Sequence, residues 1–306
     1  MAGTTRPARR MPVIDKLEML IALAQTQHFG HAAERLGIAQ PTLSAGIRRL
    51  ESDLGVMLVR RGSRYGGLTP EGVRVLEWAR QIVGDARTMR EELRAARMGL
   101  SGTVRLAVIP TALTVASTLT ARFATSHPNV RFSVMSSNSI DILKTLEGLQ
   151  IDAGISYLDN EPLGRVVTVP LYRETYVLLV RADAPEAARR SVRWADLGGL
   201  RLCLLTPDMQ NRRIIGGHLA EAGVTVAPGI ESNSTIVLAH HVAEGGWATI
   251  LPRKTAEVFL AGGALAAVPI TQPDARHAVG LIAPWREPHT PVIAALLAEA
   301  RQMAEE

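Results

Sequence analysis

Apolar residues in the first part of the chain recur every three or four positions and predict three short helices. The first apolar series spans residues 14–24, and a second begins after Gly30 and ends at Gly37, because glycine readily takes the left-handed conformation that ends a helix. Gln40-Pro41 begins the third helix, since proline is favoured in a first turn. A helix, a tight turn and a second helix form the arrangement that places the second helix in the major groove of DNA.

The third helix is expected to have one apolar and one polar face. Its apolar stripe consists of Leu43, Ile47, Leu50 and Leu54. On the other face, a glutamine can pair with adenine edges, an arginine with guanine or phosphate, and a threonine methyl with a thymine methyl. The residues that we expect to contact DNA from this helix are Gln40, Pro41, Thr42, Ser44, Arg48 and Arg49.

The next segment predicts a wing beside the helix pair. Residues 56–59 have the pattern of a short strand, and residues 60–67 form a glycine-rich basic loop before the chain returns. Such a loop can lie on the phosphate backbone or in the minor groove. We therefore expect Arg61 and Arg64 to contact DNA.

A single long helix is predicted from residue 70 to about residue 97. It starts at Thr69-Pro70-Glu71, which provides a capping hydroxyl, a first-turn proline and an acid that suits the helix dipole. Apolar residues then alternate at spacings of four and three, as in a two-stranded coiled coil. Flanking Arg and Glu favour a dimer interface over packing within the domain. The seam consists of Val75, Ala79, Ile82, Ala86, Met89, Leu93 and Ala96.

The charge distribution favours DNA as a partner. Residues 1–65 hold ten Lys and Arg against five Asp and Glu, so the formal charge of +5 lies in the first fifth of the chain. A basic segment suits a phosphate backbone, although charge alone also fits a solvated basic face. Residues 1–10 are expected to form a loose basic tail.

After a hinge predicted at residues 98–102, short apolar runs alternate with helical segments. This alternation predicts an α/β fold with mixed, mainly parallel sheets and helices on both faces. Strands are expected at residues 103–109, 130–135, 151–157, 176–180, 201–205, 247–251, 265–270 and 278–283.

Several classes of protein lack their signature in this sequence. The chain has no Gly-x-Gly-x-x-Gly motif after the first strand, no Walker loop and no Gly-x-Ser-x-Gly elbow. His240-His241 points to two different helix faces, so no metal site is expected. The single cysteine, Cys203, cannot form an internal disulfide and is expected to be a buried structural thiol. Since no apolar run reaches the length of a membrane span, we expect a cytoplasmic protein without a membrane partner.

Four motifs resemble the N-terminal signature of LysR-type transcriptional regulators, in the expected order and spacing. They are Ala32-Ala33-Glu34-Arg35-Leu36, Gln40-Pro41-Thr42-Leu43-Ser44, Leu50-Glu51-Ser52-Asp53-Leu54-Gly55 and Leu68-Thr69-Pro70-Glu71-Gly72. Two departures affect expected DNA contacts. Ala45-Gly46 replaces longer polar side chains of the recognition helix, and His28 with Gly30 replaces small hydroxyl residues at the start of the second helix.

The resemblance implies an N-terminal all-α winged helix-turn-helix, a long linker helix and an α/β two-lobed effector domain similar to a periplasmic binding protein. The expected divisions are a winged helix-turn-helix over residues 11–69, a linker and dimerisation helix over 70–97, lobe I over 103–173 and 265–306, and lobe II over 174–264. The chain would thus cross between lobes near Arg173 and Leu265.

Partners also follow from the resemblance. It implies that the protein binds promoter DNA, a small-molecule effector and RNA polymerase, and that it associates with itself as a dimer of dimers. No cofactor is expected. Residues 157–164 and 206–213 resemble regulators found beside formate dehydrogenase operons.

The effector site is expected beyond the carboxyl ends of strands, where helix N-termini present free amides. Polar residues occur at three such strand ends. Each of them alone can be interpreted as a helix cap, but if they meet in one interlobe cleft they suit a small anion such as a carboxylate or a phosphate. The residues expected there are Thr111, Ser137, Asn138, Ser139, Tyr157, Thr206, Asn211 and Asn233.

Two other classes of protein remain as alternatives. One is an enzyme of unknown type that carries a DNA-binding-like N-terminal domain. The other is a solute-binding protein of transport, which would need an export signal and has no use for a helix-turn-helix.

Overall fold

The computed structural model describes residues 11–60 and 65–305. These residues form two compact units, one built from the helices up to Arg97 and one from the strands and helices after Met98. In the part of the chain described, no helix is long and apolar enough to cross a membrane.

The helical unit contains the three short helices and the long helix that the sequence predicts. Their bounds are α1 Val13–Thr26, α2 Phe29–Arg35, α3 Gln40–Leu54 and α4 Pro70–Met98. Apolar residues of all four helices and of the segment before the wing share one buried core.

Helix α3 packs closely on α1. Leu43, Ile47 and Leu50 are buried as predicted, whereas Leu54 is 47% exposed at the C-terminal end of the helix. The stripe is therefore one residue shorter than predicted, because α3 ends there and leaves its last turn beyond the core. Gly46 is buried, and a Cβ at this position would lie 2.2 Å from the Met19 sulfur. A side chain at position 46 would therefore displace the Met19 side chain that packs between the two helices.

Two acidic residues of the same motif join α3 to the segments around it. The Glu51 carboxylate accepts hydrogen bonds from the backbone N–H groups of Leu58, at 2.8 Å, and Val59, at 3.1 Å. Asp53 forms an ion pair with Lys16 of α1, whose side chain is buried. These acids therefore stabilise the packing of the helix-turn-helix.

Among the described residues, the strand that the sequence predicts over residues 56–59 is reduced to a single antiparallel bridge between Val59 and Leu68. Beside this bridge the Arg60 N–H donates to the Gly67 carbonyl and the Thr69 N–H donates to the Leu58 carbonyl, each at 3.0 Å. Arg61 and Arg64 lie outside the described residues. As predicted, the Thr69 hydroxyl caps α4, accepting from the Gly72 N–H at 2.9 Å.

Eleven strands occur in the described part of the second unit. They are β1 Gly102–Val108, β2 Val130–Ser136, β3 Ala153–Tyr157, β4 Val166–Glu174, β5 Tyr176–Arg181, β6 Val192–Arg193, β7 Cys203–Leu205, β8 Ile230–Ser232, β9 Thr249–Pro252, β10 Leu265–Thr271 and β11 His277–Pro284. The helices are α5 Leu113–Ser126, α6 Ser139–Glu147, α7 Gln210–Glu221, α8 Thr235–Glu244, α9 Arg253–Glu257 and α10 Pro291–Glu305.

The strands form two main sheets, one in each lobe. The lobe I sheet has the order β2-β1-β3-β11-β4, and the lobe II sheet has the order β6-β10-β5-β9, beside the pair β7-β8. In lobe I, β1 runs parallel to β2 and β3, while β11 is antiparallel to β3 and β4. In lobe II, β5 is antiparallel to both neighbours. Both sheets are mixed, as predicted, but antiparallel pairs are as frequent as parallel ones, so the expectation that the sheets are mainly parallel is wrong.

The chain crosses between lobes at β4–β5 and again after β10. Strand β10 pairs antiparallel with β5, so it belongs to the second sheet. The return therefore lies after Thr271 rather than near Leu265, where the sequence analysis placed it. Apolar periodicity identifies a strand but does not tell which sheet it joins.

Candidate DNA-binding surface and effector cleft

The polar face of α3 is open to solvent. Gln40, Pro41, Thr42, Arg48 and Arg49 are exposed, and Ser44 is half-buried. All six are the residues that the sequence predicts as contacts with DNA. The polar side chains can donate to base edges or phosphates from one helix face.

The two departures from the family pattern have structural explanations. Gly46 faces α1 rather than solvent, so only Ala45 of that pair is exposed. At the start of α2, the His28 Nδ1 accepts hydrogen bonds from the N–H groups of Gly30, at 3.1 Å, and His31, at 3.2 Å. The His28 ring thus takes the role of the hydroxyl cap.

The apolar seam of α4 divides into two parts. Ala79 is fully buried in the helical core and Val75 packs against that core. Farther along, Ile82, Met89 and Leu93 are 44%, 55% and 63% exposed, while Ala86 is half-buried and Ala96 exposed. Trp78, which the sequence analysis missed, is 63% exposed. Trp78 was not predicted because it lies one position away from Ala79 of the predicted seam.

The effector residues predicted from sequence converge in part on one cavity between the lobes of the α/β unit. Five of the eight line it: Thr111, Asn138, Ser139, Tyr157 and Asn211. The remaining lining comes from Ile109, Pro110, Leu205, Met209 and Gln210.

Three predicted residues are not among those that line the cavity: Ser137, Thr206 and Asn233. Ser137 and Thr206 each neighbour a lining segment, whereas Asn233 is exposed. Gln210 also lines the cavity and was not predicted, although it lies between the predicted residues Thr206 and Asn211.

Side chains close the cleft by crossing from one lobe to the other. Gln210 of α7 donates to the Asp159 carbonyl at 3.0 Å, and the Asn211 amide donates to the Tyr157 hydroxyl at 2.9 Å. The space left in the cavity is about 10 Å³, room for about one water molecule. A larger ligand therefore needs the lobes to separate.

A buried carboxyl group lies behind Tyr157. Glu174, at the end of β4, accepts hydrogen bonds from the hydroxyls of Tyr157 at 2.5 Å and Tyr172 at 3.1 Å. Burial raises the pKa of Glu174 to about 8, against the effect of both hydroxyl bonds. The group is thus mainly protonated at neutral pH. Glu174 was not predicted, because no strand was expected over Val166–Glu174 and an acidic residue is rarely buried.

Two buried polar atoms are candidate ligand contacts. The Thr111 hydroxyl lies beside the Glu174 carboxyl but makes no hydrogen bond of normal geometry with any described residue. The Asn211 Oδ1 likewise has no partner among the residues described. An unpaired buried polar atom is costly, so both atoms favour a polar ligand at this place.

A histidine pair joins the lobes near the crossing strands. The Nε2 atoms of His218 on α7 and His277 on β11 are 3.0 Å apart. Burial and the neighbouring His277 lower the pKa of His218. Within the described residues, no group of three or more His, Cys, Asp or Glu is placed to hold a metal ion.

Cys203 is buried in β7, as the sequence predicts. Burial raises the pKa of its thiol to about 11. Because the thiolate is the reactive form, this cysteine is poorly suited to oxidation.

Two family models match the chain. "Bacterial regulatory helix-turn-helix protein, lysR family" matches residues 14–73. "LysR substrate binding domain" matches residues 97–305.

Similar proteins extend over most of the chain. The "DNA-binding transcriptional dual regulator OxyR" of Escherichia coli K12 is 29% identical over 270 residues, 88% of each protein. The structure of a full-length OxyR variant from Pseudomonas aeruginosa superimposes with a TM-score of 0.74 at 27% identity over 97% of each chain. CbnR in complex with its target DNA has a TM-score of 0.58 at 23% identity, covering 96% of this chain and all of CbnR, which shows a common fold.

Proposed function

The chain belongs to the LysR family of DNA-binding transcriptional regulators, and on that basis we propose that a small ligand in the interlobe cleft controls how the protein acts at its promoter. Members of this family bind promoter DNA and small effectors. The alternative of an enzyme with a DNA-binding-like N-terminal domain is therefore not favoured. Since promoter DNA is its target, we expect the protein to act in the cytoplasm.

The DNA-reading residues proposed are Gln40, Pro41, Thr42, Ser44, Arg48 and Arg49 of α3, with Arg61 and Arg64 of the wing. The exposed polar face of α3 supports the first six. A dimer through α4 would present two such helices to two half-sites. We propose a dimer of dimers as the working assembly, and RNA polymerase as the partner whose recruitment the effector changes.

The observation that carries the effector proposal is the convergence of six polar residues, five of them predicted from sequence, on one interlobe cavity. The N-termini of α6, at Ser139, and α7, at Gln210, both border this cavity. Two helix N-termini favour a negatively charged group, while Asn211 offers an oxygen that has no partner among the described residues and Thr111 offers a buried hydroxyl beside Glu174. We therefore propose a small anion as the effector, bound by Thr111, Asn138, Ser139, Tyr157, Gln210 and Asn211.

Several similar proteins are named as hydrogen peroxide-inducible activators. In this chain the only cysteine is Cys203, which is buried and has a raised pKa. Reversible ligand binding therefore fits this chain better than peroxide sensing through a thiol. The resemblance to regulators beside formate dehydrogenase operons stays a prediction.

A DNA-selection experiment tests the regulator proposal. Purified protein should enrich defined fragments from a genomic library and protect a discrete site. Arg48→Ala should relax base preference, whereas Arg64→Ala should weaken binding to all sequences and flatten its salt dependence. Arg90→Ala, an exposed change on α4, is the control. Equal footprints for all four proteins would contradict the assignment of Arg48 and Arg64.

A thermal-shift screen tests the proposal that the effector binds in the cleft. A ligand found by screening small carboxylates, phosphates and uncharged analogues should raise the melting temperature by mass action. Thr111→Val keeps the side-chain shape but removes the hydroxyl, so it should respond much less and still bind promoter DNA. Thr118→Val, an exposed change on α5, should respond like the wild type. Equal stabilisation of the wild type and Thr111→Val would remove Thr111 from the site.

A further inference from the structure

A carboxylate of the protein itself lies at the edge of the cleft. Glu161, in the connection from β3 to β4, accepts a hydrogen bond from the Arg213 Nε at 2.9 Å and a second from its Nη2. The other oxygen of Glu161 accepts from the Ser139 hydroxyl at 3.1 Å. Arg213 belongs to α7 of lobe II, while Ser139 and Glu161 belong to lobe I. One carboxylate thus joins the two lobes.

We propose that Glu161 is an internal ligand that holds the cleft closed, and that a carboxylate of the effector replaces it on Arg213 and Ser139. This inference rests on the proposed function of the cleft and identifies the class of its ligand. It also gives Arg213 a role as the charge partner of the effector.

Arg213 is held in place independently of Glu161. Its Nη1 donates to the carbonyl oxygens of Pro207, at 3.1 Å, and Asp208, at 2.7 Å. An arginine near a helix N-terminus opposes the helix dipole, yet these bonds fix it there. The guanidinium would therefore remain aimed at the cleft after Glu161 left, ready for another carboxylate.

Ser139 completes the carboxylate site. It is buried at the start of α6, lines the cavity, and lies 3.3 Å from the Arg213 Nη2. A guanidinium together with a hydroxyl at a helix N-terminus is a favourable environment for a carboxylate. Since Ser139 borders both the cavity and Glu161, a ligand in the cavity can reach the same groups.

The surroundings favour a singly charged ligand over a phosphate. The Asn138 amide lies 3.0 Å from the Asp141 carboxylate and 3.4 Å from that of Asp208. A doubly charged ligand beside Ser139 would be repelled by these two acids. A monocarboxylate carries the same charge as the Glu161 side chain that it replaces.

A carboxylate of the effector can displace Glu161 because the ion pair is partly exposed to solvent. Its side chain is 27% exposed and that of Arg213 is 35% exposed, so water screens the pair and weakens it. An internal carboxylate nevertheless competes with a free ligand, because only the fraction of protein with a vacated site can bind. Removing the charge of Glu161 should therefore strengthen binding of the effector.

Calorimetry with matched acids and amides tests this proposal. Formate, acetate and benzoate are titrated into the wild type, Glu161→Gln and Arg213→Gln, and their amides serve as uncharged probes. We expect at least one acid to bind Glu161→Gln about fivefold tighter than the wild type. Arg213→Gln should bind that acid at least about tenfold more weakly, with amide binding unchanged. Glu231→Gln, an exposed change on β8, should behave as the wild type.

The outcomes separate this inference from the cleft proposal. If no acid binds either the wild type or Glu161→Gln, or if Glu161→Gln binds no tighter, the internal-ligand proposal is wrong. Arg213→Lys, which keeps the charge but loses the planar fork, should bind with intermediate affinity, whereas a folding defect would appear in its circular dichroism. If a ligand no longer binds Thr111→Val but binds the Glu161 and Arg213 variants as it binds the wild type, the cleft proposal holds and the internal-ligand proposal is wrong.

Discussion

The hydroxyl of Tyr157 lies 2.5 Å from the carboxyl of Glu174, and both side chains are buried. The Asn211 amide donates to the same hydroxyl at 2.9 Å. An effector bound by Asn211 would therefore contact a chain of groups that ends in a carboxyl protonated at neutral pH. Because burial raises the pKa of Glu174, we expect the stability of the α/β unit to depend on pH.

Replacing Glu174 by Gln should change that dependence. The pKa of Glu174 is raised to about 8 in the folded protein by burial, and an unfolded glutamate titrates near its ordinary value. The contribution of the neutral group is fully present at low pH and is lost as pH rises from the unfolded pKa through about 8. Thermal unfolding from pH 5 to 8 should show the wild type losing up to about 1.4 kcal/mol per pH unit relative to Glu174→Gln.

The exposed residue Glu231 provides the control. Glu231→Gln should follow the wild-type pH profile, because it leaves the buried carboxyl of Glu174 in place. Parallel profiles for Glu174→Gln and the wild type would contradict the protonated state inferred for Glu174.

Two glycine-to-alanine changes should have opposite effects on stability. A Cβ at Gly72, in the first turn of α4, would lie 2.1 Å from the Leu58 carbonyl oxygen. Because that contact is with backbone, Gly72→Ala should lower the free energy of unfolding of the helical unit by about 1–3 kcal/mol. Differential scanning calorimetry measures this change in the unfolding transition.

Gly217 is the matched position in α7, since nothing lies within 4 Å of its Cβ. Gly217→Ala should raise stability by up to about 1 kcal/mol through helix propensity alone. A stabilised Gly72→Ala protein would show that the chain around Leu58 relaxes without cost.

Local patterns in the sequence predicted the helix-turn-helix well, because its signals are short-range. Gly37 and the cap at Thr69 act within a few residues, and the polar face of α3 follows from helical periodicity. Glu51 and Asp53 were recognised as a motif, but their bonds to Leu58 and Lys16 depend on packing that the sequence alone does not show.

The cleft was predictable only in part. Strand ends indicated Thr111, Ser139 and Asn211, because a ligand site follows from sheet topology. Glu174 and Glu161 were not found as site groups, since the contacts of each depend on residues far apart in the chain. The same limit explains why β10 was assigned to the wrong lobe.

Glu51 should be essential for the position of the wing. Glu51→Ala removes the acceptor of the Leu58 and Val59 N–H groups, so it should destabilise the helical unit by about 1–3 kcal/mol. Affinity for DNA should fall with it. Chemical denaturation and fluorescence anisotropy with a labelled promoter fragment measure the two effects.

Glu51→Gln tests whether charge or hydrogen bonding matters. Its amide oxygen can still accept, so most of the stability and affinity should return. Were Glu51→Gln as damaging as Glu51→Ala, the backbone contacts would not be the cause.

The exposed apolar residues of α4 should form the dimer interface, and the structure divides the predicted seam between two roles. Leu93 is 63% exposed while Ala79 is fully buried in the helical core. Leu93→Glu should therefore abolish the dimer without unfolding the protein, because it places like charges face to face. Ala79→Glu should unfold the helical unit, since it buries an unpaired charge. Light scattering reports the first effect and helical circular dichroism the second. Glu92→Ala, a neighbouring exposed change, should leave the dimer intact. If Leu93→Glu still dimerises and protects its promoter site, the subunits associate through another surface.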